Sequence, residues 1–514
     1  MIHTLVRSIL AVGLATTLLV APATSASNQP NVVLIYADDL GYGDVGLYND
    51  ESKIPTPHMD DLGNEGVWLT DGHAPSATCS PSRYALLTGR YAWRRRPVGV
   101  LMPWAEPMLE TERTTLPEAL QSAGYRTALI GKWHLGFQWP WRDGQRPQDE
   151  ELLEQGWISL AHNDQFDWTR PLGDGPLTHG FDYYYGDDVP NMPPYAWIEN
   201  DRVVGADMVQ VRRSALISVG FTGGIHGDGP GQPGWQLDQV MPALVDRSAG
   251  YIRQAAEGDE PFFLMVSLTA PHTPVVPTAE FDGTSEAGTY GDFVVQTDGA
   301  VGTIVETLKD AEIFDDTIVI VTSDNGPEFT AYRQWKRYDH QSMGSLRGLK
   351  SDTWEGGHRV PFIASWPNGG IEGGRRIDAV VSQVDLFATL AEAAGTSIGE
   401  GDAPDSEPLL ATLRGQERSG RESLVYHGGT GNLGLREGDW VFLRGGGYGR
   451  FPLQVWEEPE WVRLARKVRI SDEPGDQLYN LKRDPGQTRN VIKKHPKVAE
   501  DLREKLAAIE ASDK

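Results

Sequence analysis

The chain has 514 residues, and its 46 Lys and Arg against 72 Asp and Glu leave a formal charge of −26. So acidic a surface repels polyphosphate and argues against nucleic acid as a partner. The length exceeds what one simple core needs, so two domains are expected, and the single cysteine excludes an internal disulfide.

In chain order, Met1 to Arg7 carry one positive charge, an apolar run follows from Ser8 to Val20, and small residues lead to Ala26. That is the pattern of a secretory signal peptide. The run is shorter than the roughly 20 residues a bilayer demands. No later stretch reaches that length, so no membrane span is expected, and no cysteine stands at the cleavage point to carry a lipid. The expectation is an exported protein, secreted or periplasmic. Loss of Arg7 with the leader makes the mature charge −27. Anionic polymers approach such a surface more easily at high salt, where the Debye length shrinks to about 3 Å at 1 M, so a saline habitat is expected.

Asn31-Val-Val-Leu-Ile-Tyr36, Thr127-Ala-Leu-Ile130, Phe262 to Leu268 and Thr317 to Thr322 are short apolar runs rich in β-branched residues, the pattern of buried strands. Thr115 to Gly124 carries helix start and stop signals: Thr, an early Pro and a terminal Gly. Asp292 to Lys309 and Val384 to Ala394 are further amphipathic segments. Strands alternating with helices predict an α/β fold, a large mixed but mostly parallel sheet flanked by helices. Phe137 to Thr178 and Gly220 to Pro233 are long loops laid over it. Past about residue 400 the texture changes. Leu424 to Tyr426, Trp440 to Leu443 and Gln477 to Tyr479 predict a smaller antiparallel sheet, and Val498, Leu502, Leu506 and Ile509 share one face of a closing helix. The domain reading is 1–26 signal peptide, 27–400 main α/β domain and 401–514 C-terminal α+β subdomain.

Each of the four apolar strands is followed at once by polar residues foreign to a core: Asp38-Asp39, Gly131-Lys-Trp-His134, Ala270-Pro-His272 and Ser323-Asp-Asn-Gly326. Ligands of open α/β sheets bind beyond the carboxyl ends of the strands. Any one of these segments alone is more often a capped turn; four together converge on one edge. Asp38, Asp39, Asp324 and Asn325 are hard oxygen donors, a set suited to calcium or magnesium rather than zinc. Gly41-Tyr-Gly43-Asp-Val-Gly46 matches a dinucleotide fingerprint, but Asp38, Asp39 and Asp44 would face the pyrophosphate, so the match is read as accidental. A lone cysteine such as Cys79 is by itself read as a small buried apolar residue; its neighbours change that.

Cys79-Ser-Pro-Ser-Arg83, continuing to Thr88-Gly-Arg90, resembles the signature of the formylglycine-dependent sulfatases of the alkaline-phosphatase superfamily. Matches run along nearly the whole mature chain: Ala37 to Gly41, Gly131 to Gly136, Pro271-His272, Ser323 to Gly326, Arg347 to Lys350, Trp354 to Pro361 and Leu478 to Gly486. The resemblance implies an alkaline-phosphatase-like fold and oxidation of Cys79 by a formylglycine-generating maturation enzyme. One hydroxyl of the aldehyde hydrate attacks sulfur to give a covalent sulfate ester. The other hydroxyl then lets sulfate leave as the aldehyde re-forms. It further implies that Asp38, Asp39, Asp324 and Asn325, with modified Cys79, hold Ca2+ (or Mg2+). Arg83 steadies the diol, and Lys132 and Lys350 neutralise sulfate oxygens. His272 acts as general acid, His134 as base, and Asp324 takes the nucleophile's proton.

His179 to Gly186 and Met192 to Asn200 look like the group around N-acetylgalactosamine-6-sulfatases and bacterial carbohydrate sulfatases, which implies a sulfated carbohydrate substrate, sulfated at a 6-position; an aryl sulfate is the simpler partner. Family members often place a hydroxyl residue in the loop after Gly-Lys-Trp-His, but that loop diverges here and offers no counterpart. Trp133, Trp139, Trp141 and Trp354 are candidates to stack on sugar faces, with core packing the commoner role. Arg94-Arg-Arg96 is a candidate sulfate grip or a solvated basic turn. Two alternatives stay open: a phosphate or phosphonate ester hydrolase of the same superfamily, and a non-catalytic binder of sulfated glycans if Cys79 stays unmodified.

Overall fold

The computed structural model describes residues 29–95, 99–102, 104–144, 161–205, 207–216, 227–416, 420–449 and 475–512. The signal-peptide segment, Arg96 and parts of both long loops lie outside the described residues.

The strands are β1 (Asn31–Asp38), β2 (Val67–Leu69), β3 (Gly72–His73), β4 (Arg126–Gly131), β5 (Tyr183–Gly186), β6 (Ile198–Glu199), β7 (Arg202–Val203), β8 (Val209–Val211) and β9 (Gly229–Gly231). They continue with β10 (Phe262–Pro271), β11 (Thr317–Ser323), β12 (Phe362–Ser365), β13 (Arg375–Ile377) and β14 (Val381–Ser382), then β15 (Ser423–His427), β16 (Leu433–Glu437), β17 (Trp440–Leu443) and β18 (Gln477–Asn480). Ten form one sheet in the order β13-β2-β12-β11-β1-β10-β4-β5-β6-β7. Its centre, β11-β1-β10-β4-β5, is parallel throughout, while β12, β6 and β7 pair antiparallel.

Alternation along these strands feeds two cores, because successive side chains leave opposite faces of a sheet. Val32, Leu34, Met265 and Ile320 pack on one face with α2 (Cys79–Thr88), α3 (Leu116–Ser122) and α7 (Leu386–Ala393). Val33, Ile35, Leu264 and Val321 pack on the other with α1 (Pro57–Glu65), α4 (Val240–Ala255) and α5 (Gly288–Asp310). The predicted start signals of α3 are realised: Thr115 accepts from the Glu118 amide while the Glu118 side chain accepts from the Thr115 amide, closing a capping box.

β15 to β18 form the separate antiparallel sheet. One of its faces, with Leu433, Leu435 and Phe442, meets Ala499, Leu502 and Leu506 of α8 (Pro496–Ala511). The other, with Tyr426, Val441 and Tyr479, covers Trp354. This sheet also reaches the segment leading into α2: His427 of β15 accepts the Ala77 amide through its backbone carbonyl at 2.9 Å and pairs its ring with Ser76. Among the described residues, no helix is long and apolar enough to cross a membrane.

Gly41 and Gly43 have a packing reason. A Cβ on either would meet the backbone of Gln341 to Gly344 at 2.2–2.3 Å. Asp44 is buried against His340, Tyr290 and the Gly41 amide, which leaves no place for a pyrophosphate.

Candidate active site

α2 starts at Cys79, so the sulfur sits at the positive end of a ten-residue helix. Pro81 costs nothing in the first turn, where its missing N–H has no partner to lose. Arg83 lies one turn on and shares the face of Cys79. Its guanidinium donates to Asp324 Oδ2 at 2.8 and 3.2 Å, to Ser267 Oγ at 2.6 Å and to the Lys132 carbonyl at 3.2 Å. It therefore ties β10 and the ends of β11 and β4 to α2. Gly131 makes this junction: its φ is +122°, and a Cβ there would strike the Ser267 carbonyl at 1.8 Å.

Ligand atoms of Asp38, Asp39, Cys79 and His272 all lie within 4.8 Å of one another. Lys132 Nζ donates to Asp38 Oδ2 at 2.6 Å, and Lys350 Nζ to Asp39 at 2.8 Å. Asn325 Nδ2 donates to Asp39 Oδ1 at 2.6 Å, and the Asp39 amide donates to Asp324 Oδ1 at 3.2 Å. Asp38 Oδ1 and Asn325 Oδ1 are buried without a hydrogen-bond partner. Buried oxygens rarely stay unsatisfied, and two orphaned hard donors beside Asp39 and Asp324 fit a divalent cation. Access is narrow: the side chains of Asp38 and Lys132 are fully buried, while those of Lys350 and His272 are 13% exposed.

Burial penalises the Asp38 carboxylate, but Lys132, His272, Arg83 and Lys350 reverse this and hold it well below the usual range. Burial pushes the Cys79 thiol up to about 12, so the unmodified side chain is a protonated thiol at neutral pH and a weak nucleophile. Burial and then Asp38 raise Asp324 to about 7. Burial and the Lys350 charge lower His272 to about 4. Its Nδ1–H donates to the Thr273 carbonyl, and Nε2 lies 3.6 Å from Asp39 Oδ2. His134, with φ +54°, donates Nε2–H to the Leu101 carbonyl at 3.1 Å. Its buried Nδ1 is left with a lone pair and no partner. Burial and Lys132 hold that ring well below the ordinary imidazole range.

The ten candidate residues thus lie along one rim. The match of the Sulfatase family model to residues 30–396 decides what this rim belongs to. The chain belongs to the sulfatase family. It is a sulfuric ester hydrolase. The N-acetylgalactosamine-6-O-sulfatase of Bacteroides thetaiotaomicron is 31% identical over 518 residues, covering 94% of this chain and 93% of that one. Human arylsulfatase A is 31% identical over 494 residues, covering 92% and 86%. A sulfatase structure from work on glycosaminoglycan metabolism by Bacteroides thetaiotaomicron superposes with a TM-score of 0.77 at 29% identity, covering 95% of this chain and all of that one.

Two readings of this sulfatase's surface need correction. Trp133, Trp139, Trp141 and Trp354 are at most 6% exposed and belong to the core, so none presents a face to sugar. Arg94 is buried in a two-pronged pair with Asp405 at 2.8 Å, and Arg95 faces Glu110 at 3.6 Å, so neither is free to grip sulfate. Sequence reasoning also missed polar groups at the rim. Asp187 and Asp188 stand at the end of β5 as Asp38 and Asp39 stand at the end of β1, so the same strand-end rule applied to Tyr183 to Gly186 would have found them. Asp187 is fully buried with neither oxygen bonded, and burial and then Asp188 raise it to about 7. Asp188 accepts the His134 amide at 3.1 Å. Glu328, raised to about 8 by burial and Asp39, had no motif to flag it.

Proposed function

We propose that this sulfatase is an exported enzyme that hydrolyses sulfate monoesters on a carbohydrate, with Cys79 converted to formylglycine beside a divalent cation, Ca2+. The observation that carries this is the Cys79 sulfur at the start of α2, within 4.8 Å of ligand atoms of Asp38, Asp39 and His272. The named substrates of the relatives support a sulfated glycan. The leader at 1–26, the division into 27–400 and 401–514, and maturation by a formylglycine-generating enzyme are part of the same proposal.

Asp38, Asp39, Asp324, Asn325 and position 79 would hold the cation, which supplies Lewis acidity to the sulfate oxygens when bound. The aldehyde hydrate supplies a hydroxyl nucleophile and a second hydroxyl for release of sulfate. Asp324 takes the proton of the attacking hydroxyl, and Arg83 holds that group against the rim. Lys132 and Lys350 face the sulfate oxygens as charge grows on them in the transition state. The bond between sulfur and the alcohol oxygen breaks, and His272 delivers a proton to the departing oxygen. The sulfate's own negative charge favours the imidazolium needed for this. His134, with its free Nδ1 lone pair, accepts the proton of the second hydroxyl. Water consumed and alcohol and sulfate released balance the cycle.

Sulfate and phosphate esters of one phenol, offered to the matured enzyme, test the reaction class. A kcat/KM higher for the sulfate is the expected result. A preference for the phosphate would transfer the site to the phosphate or phosphonate ester hydrolases.

A further inference from the structure

The catalytic centre leaves the far side of the same rim unused. There, a cavity of about 470 Å3 is lined by Trp197, Trp235, Gln236, Gln239 and Asp207. Its place follows from the register. Gly186, the last residue of β5, pairs with Ile198 at the start of β6, so Trp197 stands beyond the carboxyl end of the parallel strands. Val204 closes the wall by donating its amide to the Trp197 carbonyl at 2.8 Å. β6 is two strands from β4, which delivers Lys132, and three from β10, which delivers His272. At strand spacings of about 4.8 Å, the cavity lies roughly 10–15 Å along the rim from the catalytic groups. The segment after His272 spans part of that gap, since Val276 packs with Tyr195 and Leu237 beside the cavity.

The lining is chemically distinct from the catalytic centre. It contains no Lys or Arg, so nothing in it selects sulfate. The two indoles stand at 53° with ring centroids 4.9 Å apart. Gln236, Gln239 and Asp207 are exposed to solvent. The wall is preformed: Gln232 accepts the Trp197 amide at 3.1 Å and donates to the Val204 carbonyl. Apolar ring surface with exposed amides and a carboxylate suits a pyranose, whose C–H faces are apolar and whose hydroxyls both donate and accept.

We propose that this cavity is a second sugar subsite, taking an uncharged residue of the glycan chain whose sulfated residue sits at Cys79, so that oligosaccharides are preferred over sulfated monosaccharides. This rests on the carbohydrate reading above. The test uses the matured enzyme and the double variant Gln236→Ala/Gln239→Ala, which removes surface amides only, with Trp235→Ala as a second variant. On a sulfated tetrasaccharide, kcat/KM should fall at least about tenfold in the double variant, mainly through KM, as expected for lost ground-state binding. On the sulfated monosaccharide and on an aryl sulfate it should stay unchanged. Equal kcat/KM for tetrasaccharide and monosaccharide in the wild type, or no change in either variant, would overturn the proposal. A separate arm titrates the desulfated tetrasaccharide into a Cys79→Ala chain by calorimetry. Binding that the double variant loses supports the subsite even if no sulfate ester is cleaved, and absence of binding contradicts it even if catalysis is normal.

Discussion

At the residue scale, the site is a balance of buried charges: Asp38 against Lys132, Asp39 against Lys350, and Asp324 against Arg83. In the proposed mechanism each lysine has two duties, neutralising an acid at rest and meeting sulfate oxygens in the transition state. Lys350→Ala should lower kcat by about 10²–10³, the range seen when one preorganised stabiliser of developing charge is removed; steady-state kinetics on an aryl sulfate checks it, and an effect confined to KM would remove the lysine from the transition state. The orphaned oxygens of Asp38 and Asn325 predict a second outcome. Chelation should abolish activity and lower Tm, and calcium should restore both. A ligand at a hundred times its Kd adds about 2.7 kcal/mol to the folded state. Activity that persists after exhaustive chelation would contradict the cation assignment.

At the scale of elements, the C-terminal sheet is bolted to the catalytic sheet by polar groups. Arg436 of β16 grips Asp71 with bonds of 2.6 and 2.7 Å, and Asp71 also accepts from His73 of β3. Removing one partner of a buried pair costs 3–5 kcal/mol. Arg359 remains 3.5 Å from Asp71, so Arg436→Met should cost about 3 kcal/mol, the low end of that range, read from denaturant unfolding. His427 predicts a pH dependence. Burial lowers its pKa to about 3 from an ordinary value near 6.5. The folded state resists the proton that the unfolded chain binds. Its contribution is therefore complete above about pH 6.5 and lost as pH falls toward about 3, at about 1.4 kcal/mol per pH unit. His427→Gln should lack that slope, and parallel stability–pH curves for the two proteins would refute it. Strand β1 and its parallel neighbours were legible in the sequence because both faces are buried, which writes an uninterrupted apolar run. The two- to four-residue strands β2, β6 and β12 were not, since their runs are too short to carry a period. The site was legible wherever a polar pair breaks such a run, as at Asp38 and Asp324. Glu328 and His427 were not, because their burial is created by segments distant in the chain. The four tryptophans took the core role, the commoner one, rather than a sugar-facing one.

At the scale of the whole molecule, a net charge of −26 surrounds a centre that must receive an anion. Long-range repulsion of a polysulfated chain decays over the Debye length, about 10 Å at 0.1 M salt and 3 Å at 1 M. For such a substrate kcat/KM should rise with salt over this range, while a singly charged aryl sulfate should respond weakly; equal responses would separate the acidic surface from substrate capture. The roles proposed for the cation, the two lysines and the two imidazoles all presuppose the same event at the start of α2, where a buried thiol with its pKa pushed up to about 12 is a poor nucleophile. Mass spectrometry of the tryptic peptide carrying position 79, from protein exported by a host with the maturation enzyme, tests that event most directly. Formylglycine at position 79 gives a mass about 18 Da below that of the thiol, as conversion to the aldehyde demands. A peptide of unchanged mass from a preparation that still cleaves sulfate esters would contradict it.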